Sequence, residues 1–211
     1  LENWGHGVTL DIDCDLLTGH CSVAQQYIGY TDTYYGCGDV YVADEVYYQN
    51  NVLKRSTTWE AYPSRFDAAS GKITLYVAYY DLTDLSSSWG EGTEVITISG
   101  SDFKDYSIGL TLGNLVEASD GTATQYFTVT PGTAVASWRY AVVDGMEFPE
   151  AILTAKARDI AAGNIDYMAE RGNKTVSVSV SSGSYTLFVV SLDEEGTLQQ
   201  YAFGSFHFSS S

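Results

Sequence analysis

The feature that most constrains the fold is a hydrophobic pattern with a period of two residues. Apolar and polar side chains alternate strictly in segments 8–13 and 176–181, where Val, Leu or Ile alternate with Thr, Asp or Ser. Because successive side chains of a strand point to opposite faces of a sheet, this alternation predicts antiparallel strands that are buried on one face. The chain also contains 17 tyrosines and only three prolines, which suits pleated, half-buried surfaces. The sequence therefore predicts an all-β protein.

Turn residues separate the predicted strands and divide the 211 residues into two antiparallel, β-sandwich-like modules. The predicted strands cover 23–30, 39–42, 46–48, 72–80 and 93–98 in the first half, and about 105–112, 122–130, 134–143, 174–181, 184–192 and 198–208 in the second. The small polar stretch Ser99–Asp102 marks the boundary. It gives a β-rich N-terminal module over 1–99 and an immunoglobulin- or fibronectin-III-like sandwich over 100–211.

Helical periodicity is convincing in one segment only. Pro149 suits a first helical turn and Gly163 suits a stop, so the sequence predicts one short helix at about 149–162 within the second module. At a spacing of 3.6 residues per turn, Ile152, Ala155 and Ile160 are expected to line its buried face.

Two segments, Asp15–Ser22 and Asp67–Thr74, share a turn pattern in which an Asp precedes a Ser/Thr-Gly pair and then a strand. The Asp side chain caps such a turn and the Gly supplies a positive φ, so both segments are predicted to be hairpins. The first hairpin would place Cys14 opposite Cys21, where the two either form a disulfide or remain small buried residues. Because the chain has three cysteines, at least one thiol stays unpaired.

Charge and motif content exclude several classes of function. A net charge of −17 repels polyphosphate, so nucleic acid is excluded as a natural partner. No run of 18 apolar residues is present to span a bilayer. The sequence contains neither a Gly-x-Ser-x-Gly elbow nor a phosphate-binding loop. The acidic stretch Asp11–Asp15 departs from the calcium-binding EF-hand pattern at its sixth and twelfth positions. The sequence thus indicates no catalytic residues, no metal site and no cofactor.

Aromatic side chains in polar loops are the strongest candidates for ligand contacts, since sugar rings stack their C–H faces on exposed Trp and Tyr. Trp89 lies among serines and glycines with no strand pattern to bury it. Trp59 and the pair Tyr34–Tyr35 are the next candidates, and each ring can alternatively cap the core from its loop. Glu91, beside Trp89, is the candidate polar contact. With Glu94 it also forms the most glycosidase-like acidic pair, but small sandwiches offer no evident deep cleft for hydrolysis.

Other aromatic residues are predicted to be structural. Trp4 and Trp138 lie in strand-like runs and are expected in the core. Tyr185 follows a turn at the start of the penultimate strand, where a tyrosine hydroxyl commonly bonds the preceding loop. In each of the pairs Tyr47–Tyr48 and Tyr79–Tyr80, one ring is expected to be buried and the other exposed.

Several motifs carry a resemblance to a known group of proteins. They are, in chain order, Asn3–Gly7, Tyr27–Tyr30, Phe66–Asp67, Gly71–Ile73, Val77–Tyr80, Gly92–Glu94, Ser184–Leu187 and Tyr201–Phe208. On these motifs the first module resembles modules of uncharacterised surface lipoproteins of Bacteroidetes, and the second is similar to the fibronectin-III-like or immunoglobulin-like modules that follow them. The resemblance implies an exported protein, extracellular or anchored to the outer membrane through a lipid on an upstream cysteine. Members frequently carry another module before the Asn-Trp-Gly segment, so the first module is expected to be incomplete at its start.

The resemblance and the aromatic loops together favour a non-catalytic cell-surface protein. The first module is expected to bind a glycan and the second to act as an accessory or spacer in a glycan-capture system. The alternative is an adhesion or assembly subunit that binds protein through a sheet edge or an aromatic patch. A glycoside hydrolase is the least favoured hypothesis. The acidic surface makes neutral glycans better ligands than anionic ones.

Overall fold

The structure is a computed structural model that describes residues 7–85, 88–98, 100 and 103–210. It is all-β, as the alternation predicts, with several antiparallel sheets. The chain divides into two compact units, unit 1 at Leu1–Phe103 and unit 2 at Lys104–Ser211. The predicted core residue Trp4 and most of the predicted boundary Ser99–Asp102 lie outside the described residues. No helix in the described part of the chain is long and apolar enough to cross a membrane.

Unit 1 is built around one long strand. Its elements are β1 Asp13–Cys14, β2 Cys21–Ser22, β3 Gln26–Asp32, β4 Gly38–Asp44, the helix α1 Glu45–Tyr47 continuing into a π-helical turn Tyr48–Val52, a 3-10 turn Trp59–Ala61, β5 Arg65–Asp67, β6 Lys72–Tyr80 and β7 Gly90–Thr97. β6 is central: β7 pairs along one of its edges, while β5 and β4 share the other edge, and β3 pairs with β4. β1 and β2 form a separate hairpin.

The sheet of unit 1 is covered on both faces. Leu75 and Val77 of β6 belong to an apolar cluster on one face, which also contains Leu10, Cys21, Val23 and Val42. Ala78 and Tyr80 point to the opposite face and pack with Ala43 and Tyr48, where α1 contacts β6. The alternation of β6 therefore fills two cores. In the predicted tyrosine pairs, Tyr48 and Tyr80 are fully buried as expected, but Tyr47 and Tyr79 are half-buried rather than exposed.

The prediction of a strand at 46–48 is wrong, because Asp44 caps a helix there. The Asp44 carboxylate accepts hydrogen bonds from the backbone N–H groups of Tyr47 at 2.9 Å and Val23 at 2.7 Å. Such a side-chain cap satisfies a helix donor and starts a helical turn. The alternating segment 8–12 also lies outside the named strands, although Leu10 is buried and Ile12 packs on the core.

Both predicted hairpin turns are confirmed. The Asp15 carboxylate accepts from the N–H of Leu17 at 2.9 Å, and Asp67 accepts from the N–H of Ala69 at 3.0 Å. Gly19 and Gly71 adopt the positive φ values of 76° and 67° that these turns require. The first hairpin joins Cys14 and Cys21 in a disulfide, which leaves Cys37 as a free thiol.

Unit 2 is a sandwich of two sheets with one helix on its outside. Its elements are β8 Ile108–Glu117, β9 Ala123–Pro131, β10 Ser137–Asp144, α2 Glu150–Ala162, β11 Met168–Glu170, β12 Lys174–Val180, β13 Gly183–Leu192 and β14 Leu198–Phe208. One sheet has the order β11-β10-β13-β14 and the other β12-β9-β8. Phe127 and Val129 from the second sheet pack against Trp138 and Val189 from the first. All six predicted strands are present, and only the three-residue β11 was missed.

The helix α2 covers the outer face of the four-stranded sheet through Ile160, as predicted, and through two residues that were not predicted. Leu153, Ala157 and Ile160 pack on Phe188 and Val190 of β13. They are spaced four and three residues apart, which places them on one helix face. The predicted contacts through Ile152 and Ala155 are wrong: Ile152 is 43% exposed and Ala155 is exposed as well.

The structural roles predicted for two aromatic residues of unit 2 are confirmed. Trp138 is fully buried, and its indole N–H donates to the Gly172 carbonyl at 2.9 Å. The Tyr185 hydroxyl donates to the Ser181 carbonyl at 3.0 Å, in the turn before β13. Each of these two side chains thus fixes a loop to the sandwich through one hydrogen bond.

Candidate ligand-binding site

The candidate site lies at one end of the sheet in unit 1. Because β3, β4, β6 and β7 are antiparallel neighbours, the β3–β4 loop and the β6–β7 loop emerge at the same end. The β3–β4 loop carries Tyr34 and Tyr35, and the β6–β7 loop carries Trp89. The fold therefore brings three of the aromatic candidates to one end of unit 1.

Trp89 is held in place through its polar atoms while its ring remains accessible. The indole N–H donates to Asp81 Oδ2 at 2.6 Å, and the backbone N–H donates to the Tyr79 carbonyl at 2.6 Å. The ring is nevertheless 44% exposed. An exposed ring with a fixed orientation loses little conformational entropy when a ligand stacks on it.

Asp81 is a buried anchor for both ends of the β6–β7 loop, at Thr83–Asp84 and at Trp89. Its Oδ1 accepts from the N–H groups of Thr83 at 2.7 Å and Asp84 at 3.0 Å, and from the Thr83 hydroxyl. The hydrogen bond from the Thr83 hydroxyl, followed by the one from Trp89, holds the pKa of this carboxyl far below its usual range. Asp81 is therefore ionised at any physiological pH, and it binds the loop as a charged acceptor.

Beside Trp89 lies a shallow apolar pocket of about 320 Å³, which we call the aromatic pocket. It is lined by Ile28, Tyr30, Val40, Tyr79, Trp89 and Gly90. The rings of Tyr30 and Trp89 stand nearly perpendicular, at an interplanar angle of 75° and with their centroids 6.0 Å apart. Two rings at right angles form a corner, and the strand residues form its floor.

The floor stays open because β7 begins with small residues. Gly90 pairs with Tyr79 and Gly92 pairs with Val77 across β6–β7, and a Cβ at either glycine would meet nothing within 4 Å. Glycine within a strand marks a bulge, a tight bend, or the close approach of a ligand or another backbone, and the β6–β7 register contains no bulge. The Tyr79 hydroxyl donates to Glu94 Oε1 at 2.8 Å. Burial, together with this bond to a carboxylate, raises the pKa of Tyr79 above its ordinary value.

Tyr34 and Tyr35 are the most exposed aromatic residues at this end, at 85% and 77%. Their rings contact each other edge to face at 4.7 Å. The buried Asp32 carboxylate holds their loop by accepting from the backbone N–H groups of Tyr34, Tyr35 and Cys37. Desolvation and the nearby Asp81 carboxylate raise the pKa of the Cys37 thiol. The loop therefore has a defined conformation and lies close to the anchor of the Trp89 loop.

Trp59 lies elsewhere in unit 1 and has structural contacts. Its ring stacks on His20, with centroids 3.7 Å apart and an interplanar angle of 13°. Its indole N–H donates to the Ser64 carbonyl at 2.8 Å. One face of this indole is thus already covered, so the geometry favours the loop-capping role for Trp59 over a ligand contact.

Glu91 is near Trp89 in sequence but lies on the other face of the sheet from the aromatic pocket. It pairs with Ala78, whereas the pocket residue Gly90 pairs with Tyr79. Neighbouring residues of a strand point to opposite faces. Glu91 accepts a hydrogen bond from the Ser88 hydroxyl at 3.0 Å, so its direct effect is on the loop that carries Trp89.

Sequence reasoning missed three residues that define the pocket and its support: Tyr30, Tyr79 and Asp81. Tyr30 follows Gly29, whose positive φ of 79° accompanies a break in the β3–β4 register between Tyr27 and Thr31. Such a bulge can redirect a side chain. The Gly29-Tyr30 pair inside a predicted strand is the sequence feature that indicates the bulge. Asp81 at the end of an apolar strand resembles any turn residue, because its partner Trp89 lies eight residues further on.

A buried carboxyl, Glu45, lies on the face opposite the aromatic pocket. Its Oε2 accepts from Gln49 Nε2 at 3.3 Å. Burial raises the pKa of Glu45, the Gln49 hydrogen bond opposes this, and the Glu91 and Asp44 carboxylates add to the increase. The Tyr48 hydroxyl, one turn further along, is buried without a hydrogen-bond partner among the described residues. The fold therefore disfavours the ionised form of Glu45.

The substitution Glu45→Gln is expected to stabilise unit 1 at neutral pH. The folded state holds the Glu45 proton more tightly than the unfolded chain, so wild type loses stability as pH rises through the raised folded-state pKa. The glutamine amide of the variant mimics the protonated carboxyl. We expect a gain of about 1 kcal/mol at pH 7 and none at pH 4, measured by urea unfolding. Asp13→Asn, which neutralises an exposed carboxylate, is the matched control, and an equal gain in it would contradict the role of burial.

Comparison with protein-family models, with curated proteins and with solved structures finds no match for this chain. Within the described residues, no group of three or more His, Cys, Asp or Glu is placed to hold a metal ion. The described residues around the site offer aromatic rings, open glycine backbone and carboxylates.

Proposed function

We propose that the chain is a non-catalytic, exported cell-surface protein whose first unit binds carbohydrate at the aromatic pocket. The observation that carries the proposal is the corner formed by Trp89 and Tyr30, with the indole fixed by Asp81 and still half exposed. Sugar rings present C–H faces that pack on such planes. A pocket with a few aromatic planes and nearby polar groups is typical of small-ligand sites.

The position of the acidic residues supports a binding role rather than hydrolysis. Glu91 and Glu94, the most glycosidase-like pair in the sequence, are three residues apart on β7 and therefore point to opposite faces of the sheet. Hydrolysis needs two carboxyl groups that flank one bond at about 5–10 Å. Glu94 also accepts a hydrogen bond from the Tyr79 hydroxyl, so one of its oxygens is already engaged within the protein.

A protein ligand is the second candidate, and one observation favours it. Tyr34 and Tyr35 are almost fully exposed at the tip of the β3–β4 loop, and tyrosines are enriched in protein interfaces. In this alternative the same end of unit 1 would act in adhesion or assembly. In either case unit 2, with both faces of its four-stranded sheet covered, is proposed to be the accessory or spacer. Surface anchoring is proposed from the lipoprotein resemblance alone.

Replacing Trp89 by alanine is expected to weaken binding of a neutral oligosaccharide by about 10- to 100-fold, because aromatic anchors of this kind contribute about 2 kcal/mol or more. Binding would be measured by calorimetry across a panel of neutral and acidic polysaccharides, from which the ligand used for the comparison is taken. Leu82→Ala is the matched control, since Leu82 is an exposed apolar residue of the same loop that does not line the pocket. Equal affinity of Trp89→Ala and wild type would contradict the proposed site.

A further inference from the structure

Among the described residues of unit 1, the ionised groups near the aromatic pocket are carboxylates. The β6–β7 loop and the start of β7 carry Asp81, Asp84 and Glu94, with Glu91 on the opposite face of the sheet, and no basic residue. Unit 1 as a whole contains 15 acidic residues and four basic ones. A ligand with positive charge is therefore attracted to this end of unit 1, and an anionic one is repelled.

The four basic residues of unit 1 lie away from the pocket. Arg65 and Lys72 are at the far end of the sheet, where β5 pairs with the start of β6. Lys72 is seven residues from Tyr79 along β6, or roughly 23 Å at 3.3 Å per residue. Lys54 and Arg55 follow the helix α1, which contacts the opposite face. None of these cations is placed to neutralise the pocket.

The rings of the pocket suit a cation as well as a sugar face. An ammonium within about 6 Å of a Trp or Tyr ring centroid is attracted by the negative face of the ring, and sites for alkylated ammonium groups use several rings set at angles. Trp89 and Tyr30 are perpendicular, and Tyr79 supplies a third ring. Glu94, bound to the Tyr79 hydroxyl at 2.8 Å, places a carboxylate next to the third ring.

We infer that the aromatic pocket prefers glycans that contain positively charged amino sugars, with the ammonium group held in the corner between Trp89 and Tyr30. This inference rests on the proposed carbohydrate-binding function and names the class of sugar. A neutral or N-acetylated sugar uses the same rings through its C–H face but lacks the attraction to the carboxylates.

The test compares three β-1,4-linked tetrasaccharides of equal length, made of glucosamine, N-acetylglucosamine or glucose. Binding to the full chain is measured by calorimetry at pH 6 in low and moderate salt, for wild type, Trp89→Ala and Glu94→Gln. Trp89→Ala keeps every charge of the protein, so it measures any diffuse attraction of a cationic sugar to an acidic surface. In Glu94→Gln the amide oxygen can still accept the Tyr79 hydroxyl, so the variant removes the charge and keeps the hydrogen bond.

We expect wild type to bind the glucosamine tetramer at least 10-fold more tightly than the other two. Trp89→Ala should lose this binding, and Glu94→Gln should weaken it for the glucosamine tetramer alone. Equal, Trp89-dependent affinity for all three sugars would overturn the inference and leave the carbohydrate site standing. Glucosamine binding that persists in Trp89→Ala would also overturn it, as diffuse attraction. Absence of Trp89-dependent binding to any of the three, or to the wider polysaccharide panel, would remove the proposed function itself.

Discussion

Replacing Trp138 by alanine is expected to lower the stability of unit 2 by about 3–5 kcal/mol, the usual cost of deleting a large buried aromatic side chain. Trp138 is fully buried between the two sheets and contacts Tyr140 with ring centroids 5.8 Å apart. Its removal also leaves the Gly172 carbonyl without the indole donor. Because domains are typically stable by only about 5–15 kcal/mol, this single change removes a large share of the total.

The measurement can separate the two units, because the other three tryptophans, Trp4, Trp59 and Trp89, all belong to unit 1. In Trp138→Ala, tryptophan fluorescence reports on unit 1 alone, while far-ultraviolet circular dichroism reports on both units. A new early transition in the dichroism, absent from the fluorescence, is the expected result. Tyr126→Ala, at an exposed position of β9 in the same unit, should change stability by less than about 0.5 kcal/mol. Similar melts for both variants would show that Trp138 does not hold the core.

Replacing Asp81 by asparagine is expected to release Trp89 while leaving most of the loop intact. An Asn side chain can keep the bonds that Thr83 and Asp84 donate to Oδ1, but it presents an N–H₂ donor to the Trp89 indole N–H. Loss of the charged acceptor for this part-buried donor costs about 1.5–3 kcal/mol in unit 1. The mobile indole should also weaken sugar binding by about 10-fold, since its orientation is no longer fixed.

The pH dependence of this loss follows from the low pKa of Asp81. An ionised, hydrogen-bonded carboxylate stabilises the folded state at every pH above the unfolded-chain pKa of about 3.9, and the contribution is lost as pH falls towards the lower folded-state value. The gap in unfolding free energy between wild type and Asp81→Asn should therefore be constant from pH 5 to 8 and shrink below about pH 4. Asp81→Ala, which removes both oxygens, should be less stable than Asp81→Asn. If the two variants have equal stability, the loop does not depend on the Oδ1 contacts.

The parts of the fold that could be predicted from sequence are those fixed by local pattern. β6 begins and ends where the alternation places it, at Lys72 and Tyr80, and β14 spans the predicted 198–208. The turn residues Asp15 and Asp67 were sufficient to locate two hairpins, because their carboxylates bond N–H groups only two residues ahead. In these segments, local chemistry and the final fold agree.

The errors occur where a distant partner decides the outcome. Residues 46–48, Val-Tyr-Tyr, suit a strand. The Asp44 carboxylate, however, accepts hydrogen bonds from the N–H groups of both Tyr47 and Val23, and α1 begins there. For the site, an isolated Trp in a Ser/Gly loop was enough to single out Trp89 as a candidate. The contacts of Trp89 with Tyr30 and Asp81 form only once β3, β4 and β6 are paired. No short segment of the sequence predicts that pairing.

The double covering of the four-stranded sheet in unit 2 has a consequence for how the chain can misfold. Strand β13 contains seven consecutive buried residues, Thr186–Leu192, with no charge, no proline and several β-branched or aromatic side chains. Such heptapeptides are typical cores of amyloid-like steric zippers when they are unprotected. In the native state α2 covers one face of this strand and the second sheet covers the other. The helix therefore shields one face of a segment whose two edges are already paired with β10 and β14, so self-association through this segment requires the sheet to open as well as the helix to detach.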